Sequence, residues 1–160
     1  MLGHSDLLKI LDYDPAKGTF KWKLPGRKRR VGALAGSVRK GRRYISIDYT
    51  TYLASRLAWF YVHMEWPNPE VDHIDLDKMN DRISNLRIAT RSQQQANTRC
   101  SRVNTSGYKG VTWNAGRHKW QAQIKVDGKM HYLGLFDQPE AAHAVYAAAA
   151  TEHFGEFARL

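Results

Sequence analysis

Apolar positions along this chain follow two periods, and the alternation between them lays out its elements. In SDLLKIL, Leu7, Leu8 and Leu11 share one face of a helix that Ser5 can cap. DPAKG, Asp14 to Gly18, reads as a turn and TFKWK as a strand. YISIDYTTYLA alternates in and out, which predicts a hairpin turning near Asp48 to Thr51. SRLAWFYVHMEW is helical by period, with Leu57, Phe60, Tyr61 and Met64 on one side and Pro67 and Pro69 closing it. RSQQQANTR, Arg91 to Arg99, is polar and compatible with a helix.

Residues 100–106 then lose all apolar period and carry turn formers, which predicts a linker. Beyond it YKGVTW, KWQAQIKV and KMHYLGLF read as three short strands, the last two joined at Asp127-Gly128. PEAAHAVYAAAATEHFG predicts a helix with Pro139 in its first turn and Gly155 past its end. The pattern therefore predicts an α+β protein. A first domain, 1–99, has a small β-rich amino-terminal region; a second, 107–160, is a three-stranded antiparallel sheet with one helix. In KWQAQIKV, Trp120, Ala122, Ile124 and Val126 alternate with Gln121, Gln123 and Lys125, so one side of that sheet is apolar and the other polar.

Charge narrows the function. Lys and Arg number 25 against 15 Asp and Glu, a net charge of +10. Every charged residue from Lys21 to Arg43 is basic, concentrated in PGRKRR and VRKGRR. An excess of that kind attracts polyanions, nucleic acid first. Arg27, Lys28, Arg29, Arg30, Arg42 and Arg43 are thus candidate phosphate contacts. The single cysteine, Cys100, excludes an internal disulfide and a thiolate zinc site. The amino terminus lacks the pattern of a secretory signal, and no segment has the roughly 20 apolar residues of a membrane span. A cytoplasmic, non-secreted protein is expected.

The candidate chemistry lies in VDHIDLDKMNDRISNLRIAT, Val71 to Thr90. Cutting a phosphodiester needs an activated water, neutralisation of the phosphoryl group and departing 3′ oxygen, and fixed geometry for both. One histidine and one hard cation with oxygen ligands can supply this. Asp72 would hold the cation while the adjacent His73 faces the phosphate. Asn85, returning after the turn, can accept the Nδ1 proton of His73 and leave Nε2 as the base. Gln94 and Asn97, three residues apart, share a face of the following helix. A calcium loop built from Asp72, Asp75 and Asp77 is excluded, because the glycine and glutamate such loops need are absent.

The same stretch resembles the HNH nuclease motif, a ββα-metal fold found in phage and intron homing endonucleases. The resemblance rests on Asp72-His73-Ile74, Asn80-Asp81-Arg82, Ser84 to Arg87, Ala89-Thr90 and Asn97, with a ββα core at about 68–99. It implies Asp72 as metal ligand, His73 as general base and Asn85 as the residue orienting it. Gln94 stands where homing members carry a ligating asparagine, with Asn97 and Gln95 as other candidate amides. The cofactor implied is one Mg²⁺ or Mn²⁺. Asp75-Leu76-Asp77 replaces the family's frequent Asn-Gly-Asn, and Ser55 stands where many relatives have histidine. Arg82 and Arg87, inside the motif, join the expected DNA contacts.

The carboxy-terminal domain resembles the plant ethylene-response-factor (Apetala-two-type) DNA-binding domain. YKGV at Tyr108, Lys119-Trp120, Tyr132 to Phe136, Glu140 to Ala142 and the terminal FGEFA carry that resemblance. It implies DNA contacts from Lys109, Thr112, Trp113, Gln123, Lys125 and Tyr132. Together these readings point to a metal-dependent endonuclease on double-stranded DNA, of phage homing type, acting as a monomer or homodimer. The competing reading is a non-cutting DNA-binding protein whose nuclease part has degenerated.

Overall fold

The computed structural model of the protein describes residues 2–27 and 29–160. The chain is α+β and divides into two compact units, residues 1–89 and 90–160. The division falls ahead of the polar segment 100–106, so the short helix from Arg91 groups with the carboxy-terminal sheet.

In the first unit α1 (His4–Ile10) runs directly into β1 (Leu11–Asp14), which pairs antiparallel with β2 (Thr19–Trp22). The helix starts from Gly3, with no side-chain cap from Ser5, and stops one residue earlier than its apolar period suggests. From Leu11 the chain is extended, because Leu11 and Tyr13 alternate into the core. Their register sets Tyr13 opposite Phe20, ring centroids 4.6 Å apart. Next come β3 (Ser37–Arg39), β4 (Arg42–Ile47) and β5 (Thr50–Leu53), one meander in sequence order. The β4–β5 turn places Asp48 and Tyr49 at positive φ, the backbone a two-residue hairpin turn requires.

Helix α2 (Ala54–His63) buries Leu57, Ala58 and Phe60. It ends at Met64, whose left-handed backbone (φ 61°) returns its N–H to the Phe60 carbonyl, three residues before Pro67. Strands β6 (Glu70–His73) and β7 (Leu86–Ala89) close the unit as an antiparallel pair. One apolar cluster, with Leu7, Phe20, Ile45, Leu57, Val71 and Leu86 among its members, joins all these elements except the exposed β3. Each buried Leu or Phe there contributes roughly 1.5–3 kcal/mol.

The second unit opens with α3 (Arg91–Ala96). Strands β8 (Val111–Asn114), β9 (Lys119–Val126) and β10 (Lys129–Phe136) form an antiparallel sheet with β9 central, and α4 (Pro139–Phe154) packs on one face. Pro139 sits in the first turn of α4 and Gly155 caps its end at positive φ. Val111 and Ala122 meet Ala142 across that interface. The opposite face carries Thr112, Gln121, Gln123, Lys125 and Tyr132, paired across the strands. Among the described residues no helix is long and apolar enough to cross a membrane.

Candidate active site

Strand β6 delivers Asp72 and His73, and its register with β7 pairs Asp72 with Arg87 and His73 with Leu86. Alternation sends the two side chains to opposite faces, and both are buried. His73 Nε2 lies 2.9 Å from Asp81 Oδ1, with the two side chains 5% and 2% exposed. An ionised carboxylate only accepts, so Nε2 carries the proton and donates it to Asp81. Nδ1 is then the basic nitrogen of the ring. The sequence reading places the proton on Nδ1, toward Asn85, with Nε2 as the base; the Asp81 contact at Nε2 favours the other tautomer.

Asn85 does not hold the imidazole; it organises the connecting loop. Its Oδ1 accepts from the Asp75 N–H at 3.1 Å. Its Nδ2 donates to Asp75 Oδ1 at 2.9 Å and to the Asn80 carbonyl at 2.8 Å. Asp75 also accepts from Asn80 Nδ2 and from the Asp77 N–H. Burial raises the Asp75 carboxyl's pKa, but these hydrogen bonds from Asn80, Asn85 and Asp77, with the nearby His73, outweigh it and hold the group below the usual carboxylate range. Asn85 therefore acts on the shape of the 74–85 loop. Leu76 in that loop has φ 70°. A glycine adopts this conformation freely, while a leucine is strained there by roughly 1–2 kcal/mol.

The partner of His73 is itself anchored by the amino-terminal hairpin. The Tyr13 hydroxyl donates to the Asp81 carbonyl at 2.7 Å in the interior. Burial first, and then the Asp81 charge, push the Tyr13 pKa far up, so the phenol stays a donor. Gly18, at φ 67°, lets the β1–β2 turn lie against the same backbone. A Cβ there would sit 2.3 Å from the Arg82 nitrogen and 2.4 Å from the Asp81 carbonyl carbon. The sequence marks DPAKG as a turn and Asp81 as part of the motif, but signals no role at the site for either. The missing signal is tertiary: the hairpin lies more than sixty residues from the loop it supports.

Asp72 Oδ2 accepts from Arg87 Nε at 3.2 Å. Arg87, opposite Asp72 in the register, is thus its cross-strand partner. In the second unit, Thr90 and Gln93 form a reciprocal capping box at the start of α3. That helix carries Gln94, partly buried, and Asn97, buried at its end. The carboxylate of Asp72 and side-chain amide oxygens are hard donors, the set that Mg²⁺ and Mn²⁺ favour.

The expected DNA contacts divide by environment. Arg27, Arg30 and Arg82 are exposed and Arg42 partly so. Lys28 lies outside the described residues. Arg29 stacks over Trp22, 4.3 Å from the ring centroid, and donates to the Ser46 carbonyl. Arg43 donates to the Ala35 carbonyl. On the sheet, Thr112, Gln123, Lys125 and Tyr132 share the face away from α4, where amides link Asn114 to Gln121 and Gln121 to Gln123. Trp113 instead pairs with Trp120 on the helix-covered face, edge to face at 5.0 Å and 45% exposed. The Lys109 ammonium points inward to backbone carbonyls of Ala96, Thr98 and Arg159.

Comparison with known proteins bears on this arrangement. The family model described as HNH endonuclease matches residues 52–96, from β5 through α3. Protein 3.8 of Escherichia phage T7 is 35% identical over 90 residues, covering 56% of this chain and 74% of that protein. A protein of Acanthamoeba polyphaga mimivirus named as an uncharacterized HNH endonuclease is 38% identical over 88 residues, 55% of this chain. The chain spans 44% of that viral protein's length.

Proposed function

Because the chain belongs to the HNH endonuclease family, we propose that it is a metal-dependent endonuclease of double-stranded DNA. It is of the phage homing type, hydrolysing phosphodiester bonds at sites read by its carboxy-terminal sheet. The observation that carries this reading is the buried His73–Asp81 pair, an imidazole held by a carboxylate at the residue next to Asp72 on β6.

His73 takes the proton of the attacking water on Nδ1, and Asp81 steadies the ring as it becomes charged. The ring then returns that proton to solvent. Asp72 would be a ligand of one Mg²⁺ or Mn²⁺, and Gln94 or Asn97 is the amide that the family resemblance implies for it. A bound cation of that kind neutralises charge on the scissile phosphate and the departing 3′ oxygen. Arg27, Arg30, Arg42 and Arg82 supply phosphate contacts whose contribution falls with salt. Thr112, Gln123, Lys125 and Tyr132 face the bases, glutamine being suited to adenine in the major groove. Lys109 and Trp113 are left out of this interface, since their partners lie within the protein.

A second reading is a DNA-binding protein that does not cut. The Asp72–Arg87 contact and the low exposure of His73 favour it. Supercoiled plasmid incubated with Mg²⁺ or Mn²⁺ separates the two. Conversion to nicked or linear forms supports the endonuclease, and retained plasmid binding with no conversion supports the second reading.

A further inference from the structure

Helix α3 raises a physical problem. It is six residues long, and helices under roughly 12 residues do not persist in water on their own hydrogen bonds. Its first turn is held by the Thr90–Gln93 capping box. Its far end is held from outside. The Lys109 ammonium donates to the Ala96 carbonyl, to the Thr98 carbonyl at 2.8 Å and to the Arg159 carbonyl at 2.9 Å. A lysine has three protons and no acceptor, so these three carbonyls use the whole group. The Arg159 N–H adds a longer bond to the Ala96 carbonyl, 3.4 Å. From the β9–β10 turn, the Asp127 N–H reaches Ser92 Oγ at 2.9 Å. The family match ends at residue 96, so Lys109, Asp127 and Arg159, which fasten this helix, all lie beyond the matched segment.

We propose that Lys109 is a positioning residue of the nuclease: it fixes the carboxyl end of α3, and with it the amide side chains of Gln94 and Asn97. Residues 107–160 are then a structural part of the cutting machinery as well as its DNA reader. The proposal rests on the reading above that α3 supplies a metal-ligating amide. It gives Lys109 a task different from the DNA contact implied by resemblance. An ammonium suits this task because its tetrahedral protons can meet three converging carbonyls. A planar guanidinium cannot place its N–H groups the same way.

The test compares the full-length wild type with Lys109→Met, Lys109→Arg and Lys125→Met. Amide exchange is measured without metal or DNA, duplex affinity in chelator across a salt series, and nicking across a Mg²⁺ series. Lys109→Met is expected to speed exchange at 94–98 about tenfold while the β4–β5 hairpin is unchanged. Its duplex affinity stays within about twofold, and the Mg²⁺ giving half-maximal nicking rises about tenfold or more. Lys109→Arg falls between it and the wild type, and serves as the reading if the methionine variant does not fold. Lys125→Met weakens duplex binding and leaves exchange at 94–98 as it was. Unchanged exchange in the Lys109 variants, with weaker binding and a shallower salt slope, would overturn the proposal and make Lys109 a phosphate contact. A wild type that binds but never nicks would sink the endonuclease reading, while the exchange comparison would still decide whether Lys109 holds α3.

Discussion

His73 and Asp81 lie 2.9 Å apart, nitrogen to oxygen, both nearly sealed from solvent. A carboxylate in that position does for the imidazole what a hydrogen-bonded orienting group does in any His-dependent hydrolysis: it fixes the tautomer and stabilises the charged ring. Asp81→Asn keeps the shape but can present an N–H to Nε2 and favour the wrong tautomer. Nicking by this variant is expected to fall about a hundredfold or more, with duplex affinity unchanged in a gel-shift titration. Wild-type nicking in Asp81→Asn would remove Asp81 from the site.

Gly18 supports that pair from a distance. Its positive φ and the 2.3 Å approach of the Arg82 nitrogen leave no room for a methyl group. Gly18→Ala combines left-handed strain with overpacking against backbone, and is expected to cost about 3 kcal/mol. Thermal or urea unfolding measures this directly. A loss under half that size would mean the turn shifts away from Asp81 at little cost.

Tyr13 makes the finer version of the same support. Tyr13→Phe removes only the hydroxyl that donates to the Asp81 carbonyl. The expected loss is about 1–2 kcal/mol, a buried carbonyl left without that donor. The same denaturation assay reports it.

Much of this fold is legible from pattern alone, and the reasons differ by element. β9 alternates strictly, and α4 carries its own start and stop in Pro139 and Gly155, so local physics decides both. β1 is hidden because Leu11 satisfies the helical period of α1 and the strand alternation equally. At the site, Asp72 and His73 stand out because they are adjacent. Asp81 does not, since its role depends on a loop that Asn85, Asp75 and Asn80 fold back by side-chain hydrogen bonds. Lys109 reads in the sequence as a DNA contact, by resemblance. Only the three-dimensional path of the chain brings the Ala96, Thr98 and Arg159 carbonyls to it.

The loop also sets an acid limit. Asp75 is held below its ordinary carboxylate range in the folded state. A depressed folded value means that its contribution to stability is present above the unfolded value, about 3.9. That contribution is lost as pH falls through the lower folded value. Asp75→Asn should therefore lower stability at neutral pH and flatten the acid limb of a stability–pH profile below about pH 4. An acid limb as steep as the wild type's would assign the acid sensitivity to other carboxylates.

On the proposed reading the basic loops bear on affinity alone. Replacing exposed Arg27 and Arg30 with glutamine should reduce the slope of log affinity against log salt by about 0.9 for each phosphate no longer neutralised. Arg29→Gln should act chiefly on stability, because Arg29 is engaged with Trp22 and the Ser46 carbonyl. Fluorescence anisotropy with a labelled duplex across a salt series distinguishes the two classes.

The most direct measurement is the nicking rate of His73→Ala on supercoiled plasmid with Mg²⁺ or Mn²⁺, taken beside its affinity for the same DNA. Removing the proposed general base should slow cleavage by roughly 10²–10⁴-fold while binding stays at the wild-type level. Cleavage by His73→Ala at the wild-type rate would contradict the assignment of His73 as the base and, with it, the catalytic role of the buried pair it forms with Asp81.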